Sequence, residues 1–230
     1  MTQLSPTPRS TLTRYRERAA TDRQALYDLL DEAMICHVGL VLDGSPVVLP
    51  TGFGRDGDTL YFHGSTGSRN MRAAASGVDV CVTVTLLDGL VYARSLNNHS
   101  MNYRSAVVHG RAEAVTGREA KLRALRAITD HLTPGSWDHA REVNARELAG
   151  VTVLALSLAE ASVKTRRGEP GDDQEDLGNH AVWAGVLPVR TTFGEPVPAA
   201  YHPAGAPIPD HVAGRAGRTQ SRTGPLDGSR

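Results

Sequence analysis

The chain has 230 residues and a mass of 24.6 kDa, a length that fits one large domain or two small ones. Its 25 Lys+Arg balance 25 Asp+Glu and aromatics make up only 5%, which excludes a generic basic nucleic-acid binder and a surface that stacks many bases. Two cysteines, Cys36 and Cys81, exclude a disulfide-rich scaffold and a four-cysteine zinc site, and no apolar run approaches the ~18 residues of a membrane span.

Residues 1–16 are rich in Ser, Thr and Arg and lack acids, a composition like that of a transit peptide. Pro6 and Pro8 interrupt any amphipathic helix there and no apolar stretch follows, so residues 1–13 are expected to be a disordered leader. Without a signal peptide, the thiols are expected to be reduced and the protein cytoplasmic. A helix is predicted over residues 21–34. Thr21 and Gln24 form a capping-box pattern, and Leu26, Leu29, Leu30, Ala33 and Met34 recur at helical spacing.

Strands follow: Ile35–Leu42, Pro46–Gly54, Thr59–Gly64, Val78–Leu87 and Leu90–Ser95. The pairs Asp43-Gly44, Asp56-Gly57 and Asp88-Gly89 fall between them, and each reads as a hairpin turn. The meander is interrupted once, by a polar loop and a short helix over Ser68–Ser76 that Gly77 closes. Tyr103–Thr116 alternates as a long strand. Arg118–Leu132 is predicted helical, with Leu122, Leu125, Ile128 and Leu132 on one face and Pro134-Gly135 as its breaker. Val151–Lys164 reads as one further apolar strand and residues 168–179 as an acidic surface loop. Residues 214–230 are expected to be a disordered tail, whose Arg215, Arg218 and Arg222 are accounted for by solubility more simply than by nucleic acid. Runs of strands without regular βα alternation favour a closed or half-closed β-barrel with peripheral helices, one domain over residues 14–213.

Four segments carry candidate chemistry. Gly52-Phe53-Gly54-Arg55-Asp56-Gly57 matches a dinucleotide glycine pattern, but turn residues and a strand follow where a helix must open, so it reads as a hairpin with coincidental glycines. His63 to Arg72 (HGSTGSRNMR) offers Ser65, Thr66 and Ser68 hydroxyls, the N–H groups of a helix start and the forked donors of Arg69 and Arg72, a set that suits either a phosphate or an ordinary capped helix start. Asn97 to Ser105 concentrates polar side chains at a strand entrance, either lining a ligand cleft or forming a wet loop. Lys164 to Gly168 (KTRRG) puts basic residues at a strand exit, suited to an anion at a barrel mouth or to simple solvation. His63, His99 and His109 show no metal-ligand spacing. Cys36 and Cys81 sit in apolar strands, where cysteine behaves as a small hydrophobe.

Together these segments resemble the FMN-binding split-barrel proteins of the pyridoxamine 5′-phosphate oxidase superfamily, in the flavin-nucleotide-binding branch that includes nitroimidazole-resistance-type proteins. The resemblance is carried by LYDLLDEA, CHVGLVLDGSPVVLPT, GDTLYFHGSTGSRNMR, VCVTVTLLDGLVYARS, HSMNYRSAVVHGRAEAV, ASVKTRRGEPGDD and VWAGVLPV. Each motif is common alone; their order is specific. The resemblance implies a mainly β fold, a six-stranded antiparallel Greek-key split barrel working as a homodimer with FMN in a cleft between subunits. It places the FMN phosphate at Ser65, Ser68, Arg69 and Asn70. Relatives often carry a second basic residue where Asn70 stands, and Arg72, Lys164 or Arg166 would compensate.

By the same resemblance, Pro50, Thr51 and Thr83 line the flavin ring. Tyr103, Arg104 and Ser105 are presented by the dimer partner, and Lys164, Arg166 and Trp183 complete the cleft. Arg104 or Lys164 would stabilise the reduced ring, and His63 is a proton donor or a packing residue. The implied function is an FMN-dependent oxidoreductase acting on a small-molecule acceptor, nitroaromatic or quinone-like, with no nucleic-acid or membrane partner. Alternatives are a non-catalytic flavin-sequestering protein and a deazaflavin- or haem-binding relative. Pyridoxamine 5′-phosphate oxidation itself ranks low, because a second phosphate site and that enzyme's Arg-rich C-terminal signature are not visible.

Overall fold

The computed structural model describes residues 3–220 apart from 5, 6 and 204. After a 3₁₀ turn at Arg16–Arg18 come β1 (Ala19–Ala20), α1 (Arg23–Glu32), β2 (Ile35–Leu42), β3 (Ser45–Asp56), β4 (Thr59–Ser65), α2 (Arg69–Ala75) and β5 (Asp79–Tyr92). Then follow β6 (Ser100–Arg111), β7 (Glu113–Ala114), α3 (Arg118–Leu132), α4 (Ser136–His139), α5 (Ala145–Ala149), β8 (Val151–Ser157), β9 (Ala161–Arg166), β10 (Gly185–Pro188) and α6 (Asp210–Ala213). The strand order is β1-β9-β6-β5-β2-β3-β4-β8-β7, with β10 beside β5. Every pairing is antiparallel.

That order contains the expected Greek key. β2, β3 and β4 form a meander, and β5 returns to lie beside β2, the spatial order 4-1-2-3. The barrel is closed by a single bent segment. β8 pairs with β4 at one end of the sheet and β9 with β6 at the other, and only Leu158, Ala159 and Glu160 separate them. The single strand expected over Val151–Lys164 is therefore two. The bend is held where Arg23 donates to the Leu158 carbonyl at 3.2 Å and Leu158 is fully buried. With β8–β9 counted as one bent strand, the six long strands are this one and β2 to β6.

The core follows the period-2 alternation of strands. Cys36, Val38 and Leu40 of β2, Val80, Val82 and Val84 of β5 and Ala106 and Val108 of β6 point inward, where Leu26, Leu29 and Leu30 of α1 plug the barrel with Phe53 and Phe62. Burial pushes the Cys36 thiol up to about 12, as a core position requires. Helix α1 starts one residue later than its sequence pattern suggests. Asp22, not Thr21, is the cap, accepting from the Gln24 N–H at 2.9 Å.

Two of the three Asp-Gly pairs turn as expected. Asp43 and Gly44 both have positive φ, 50° and 78°, the requirement of a two-residue hairpin turn. The third does not turn. Asp88-Gly89 lies inside β5, where the register with β6 shifts between Leu87 and Gly89, a bulge. Pairing with β6 on one side and β10 on the other outweighs the local turn preference. The glycine pattern at residues 52–57 has a packing cause: a Cβ on Gly54 would sit 2.4 Å from the Ala127 carbonyl oxygen of α3.

The described parts of both termini carry contacts that a disordered leader and tail do not. Arg9 donates to Glu160 at 2.6 Å, Arg215 to the Leu132 carbonyl at 2.6 Å and Gln220 to the Glu32 carbonyl at 2.7 Å. The rest of the expected tail, residues 221–230, lies outside the described residues. No helix among the described residues is long and apolar enough to cross a membrane.

Candidate functional site

Strand register decides which candidate residues can meet. On the outward face Pro50 lies opposite His37, His37 opposite Thr83, Thr83 opposite Val107 and Val107 opposite Ser162. Neighbouring rows run Thr85–Ser105–Lys164–Ala19 and Leu87–Tyr103–Arg166. Pro50, Thr83, Tyr103, Ser105, Lys164 and Arg166 therefore share one continuous outward surface across β3, β2, β5, β6 and β9. Exposed Ile35, Val41 and Val48 border it, an apolar margin unusual for solvent-facing strands.

Two predicted residues belong to the opposite face. Thr51 lies opposite buried Cys36 and its hydroxyl donates to the Gly52 carbonyl at 3.2 Å, so Pro50 and Thr51 cannot line one ring with both side chains. Arg104 lies opposite Leu86 and turns inward. It donates to Glu32 at 2.7 and 2.8 Å and to Asp88 at 2.7 and 3.0 Å. The Glu32 and then the Asp88 carboxylate push the Arg104 pKa above its ordinary value. This guanidinium locks the end of α1 to the β5 bulge and is not available to a ring.

The 65–70 loop is built largely for itself. Ser65 Oγ accepts from the Gly67 N–H at 3.1 Å, and Ser68 Oγ caps α2 by accepting from the Met71 N–H at 3.4 Å. Arg72 donates to the Thr66 and Gly67 carbonyls at 3.2 and 2.8 Å. Arg69 pairs with Asp43 of the β2–β3 turn. Asn70 is half-buried in the first turn of α2. β9 lies four strand spacings from β3 in the sheet order, roughly 19 Å around the surface, and the loop lies beyond β4. Lys164 and Arg166 thus cannot supply the charge that Asn70 lacks within the same chain.

His63 lies on the outward side of β4, opposite Val153, and desolvation by its neighbours lowers its pKa. Trp183 is exposed and meets Tyr92 with ring centroids 5.8 Å apart. Tyr92 is nine positions along β5 from Thr83, roughly 30 Å, so Trp183 stands at the far end of this surface and not beside the proposed ring positions.

A further cluster is marked in the sequence on one side only, by the basic strand exit at Lys164 to Gly168. Tyr15, itself in the left-handed region at φ 54°, carries Arg18 at 4.0 Å, Arg14 at 4.8 Å and Lys164 at 5.6 Å from its ring centroid. On its other side the sequence offers only the basic–aromatic run RYRER at residues 14–18. A separate cavity of about 680 Å³ between α1, β3, α3 and the C-terminal segment is lined by Asp31, Arg55, Arg123, Asp130 and Arg215 among others; its charges are of mixed sign.

The fold and this outward face define a class, the antiparallel split barrel with a polar surface crossing its sheet. A family model described as pyridoxamine 5′-phosphate oxidase matches residues 22–165. The flavocytochrome Anf3 of Azotobacter vinelandii is 40% identical, with a TM-score of 0.86 over 93% of this chain and 99% of that one. An FAD and haem binding protein of Mycobacterium smegmatis is 42% identical, with a TM-score of 0.85 over 89% of this chain and 99% of that one. A 5-nitroimidazole antibiotic resistance protein of Bacteroides thetaiotaomicron is 27% identical, with a TM-score of 0.55 over 64% of this chain and 85% of that one. No curated protein matches. The chain belongs to the pyridoxamine 5′-phosphate oxidase family of split barrels.

Proposed function

We propose that the chain binds a flavin on the outward sheet face and works as a flavin-dependent oxidoreductase on a small-molecule acceptor. The observation that carries this reading is the convergence of Pro50, Thr83, Tyr103, Ser105, Lys164 and Arg166 on one surface. Their chemistry fits the group: hydroxyl and phenol donors for ring edges, cations for a phosphate or a reduced ring, and apolar Ile35 and Val48 alongside for the ring plane. The resemblance pointed to FMN. The 42% identity to a protein that binds FAD and haem favours FAD instead, with Ser65, Ser68, Arg69 and Asn70 a secondary phosphate position.

A bound flavin supplies the two-electron chemistry, and the protein supplies position and charge. Lys164 is a cation this face leaves for the flavin's anionic groups, whereas Arg104 is occupied by Glu32 and Asp88. A second copy of the chain would cover the exposed Ile35, Val41 and Val48 and exclude water from the face. The working form is then a homodimer of twice 24.6 kDa, checked by sedimentation. The free thiols of Cys36 and Cys81 suit a reducing compartment such as the cytoplasm.

A second reading adds haem to the flavin, as in the two relatives above 40% or at it. His63, on the outward side of β4 with its pKa lowered by desolvation, is the residue to replace in testing for an iron ligand.

The test is direct. The purified protein is denatured and the released chromophore identified by absorbance and mass. FAD is expected, with a Soret band in the native spectrum if haem is present. A colourless protein that ignores added FAD and FMN overturns the reading. Anaerobic bleaching of the bound flavin by NADH or NADPH separates an enzyme from a sequestering protein.

A further inference from the structure

We propose that the basic cluster around Tyr15, formed by Arg14, Arg18, Lys164 and Arg166, is a binding site for the diphosphate of a dinucleotide. The site rests on the flavin reading and extends it, because it gives the second, adenylate-bearing phosphate of FAD an anchor, FMN carrying only the first.

The cluster is assembled from two distant parts of the chain. β1 pairs with β9, setting Ala19 opposite Lys164 and Ala20 opposite Val163. This brings the preceding turn, Arg16–Arg18, against the strand that carries Lys164 and Arg166. The cations then crowd one ring: Arg18 lies over its face at 4.0 Å, with Arg14 and Lys164 further out. Charge balance is missing. Glu17, itself mostly exposed, reaches Arg18 at 3.8 Å. Among the described residues Arg14, Lys164 and Arg166 have no carboxylate in ion-pair contact; Arg14 donates to the Tyr15 hydroxyl at 3.2 Å and Arg166 to Asn102 and the Glu169 carbonyl.

Like charges held together without counter-charge repel. Burial and then the positive charge of Arg18 lower the Arg166 pKa. A bound anion would remove that repulsion and accept the forked donors of the arginines. A diphosphate suits the spread better than a single phosphate. Lys164 and Arg166 are two positions apart on one strand face, roughly 6.6 Å, with Arg18 to one side. The cluster also continues the Ser105–Lys164 and Tyr103–Arg166 rows, so a flavin on the outward face can extend its diphosphate into it.

The experiment compares the dissociation constants of FAD and FMN for the full-length apo-protein and its Arg18→Gln and Arg14→Gln variants, with the melting temperature of each as a check on folding. The expected result is FAD binding weakened about tenfold or more by Arg18→Gln, the scale of one charge-assisted hydrogen bond, with FMN, which carries only the first phosphate, weakened clearly less. Equal losses for both flavins, or no loss for either, overturn the site. If the wild type binds neither flavin, the cofactor reading fails separately, and calorimetry with inorganic pyrophosphate tests the cluster alone. Binding that Arg18→Gln abolishes supports the site, and no binding to the wild type overturns it.

Discussion

Two regions of this barrel present the same chemical groups to opposite effect. The loop at residues 65–70 has the composition of a phosphate cradle, yet its hydroxyls accept from its own backbone, Arg72 holds its carbonyls and Arg69 is paired with Asp43. The cluster around Tyr15 joins the basic strand exit at Lys164 and Arg166 to residues 14–18, which no motif marks, and its cations stand almost without counter-charge. The contrast teaches that a donor inventory is not a binding site. Ser at a helix start is there first to cap the helix, and only groups left over after local satisfaction are free for a ligand.

The strongest perturbation of that contrast is at Arg104, whose charge is fully matched. Replacing Arg104 by Ala leaves Glu32 and Asp88 facing each other with little water, Glu32 having only 6% of its side chain exposed. The expected loss is about 3–5 kcal/mol of folding stability, read by denaturant unfolding. A loss below about 1 kcal/mol would mean that the network does not hold α1 to the barrel. Next in size is Gly54→Ala, which drives a methyl into the α3 backbone. About 1–3 kcal/mol of destabilisation is expected, with FAD affinity unchanged, because the glycine serves packing and not phosphate.

Ser68→Ala removes the cap of α2 and is expected to cost about 0.5–2 kcal/mol. If the loop is chiefly self-satisfied, FAD affinity falls far less than with Arg18→Gln; the reverse ranking would restore the loop as the main phosphate site. The smallest effect concerns pH. Hydrogen bonds from Arg9 and then Thr7 hold Glu160 at about 2, below its reference value of 4.5. Because the folded-state value is depressed, the contribution is complete above pH 4.5 and is lost as pH falls toward 2. The leader should therefore become more susceptible to limited proteolysis across that window, and Glu160→Gln should remove the dependence.

The legible parts of the fold were those with local causes. Ile35–Leu42 and Arg118–Leu132 were predicted to the residue, because alternation and helical spacing need only the neighbouring chain. The bulge at Asp88, the split of Val151–Lys164 into β8 and β9 and the inward turn of Arg104 were not legible. Each is decided by a partner strand or carboxylate remote in sequence. The same limit applied to the site. Thr83, Ser105 and Lys164 were singled out by resemblance, but that they share a face while Thr51 and Arg104 do not is a fact of register. A one-residue shift moves a side chain to the other face.

The flavin is proposed to lie on the outward face across β3, β2, β5, β6 and β9. Ser105 sits in its middle, between Thr85 and Lys164, and among the described residues its side chain makes no hydrogen bond. The most direct measurement is the FAD dissociation constant of Ser105→Trp, with folding checked by circular dichroism. The account predicts a folded protein that no longer binds FAD; a folded variant with wild-type affinity would contradict it.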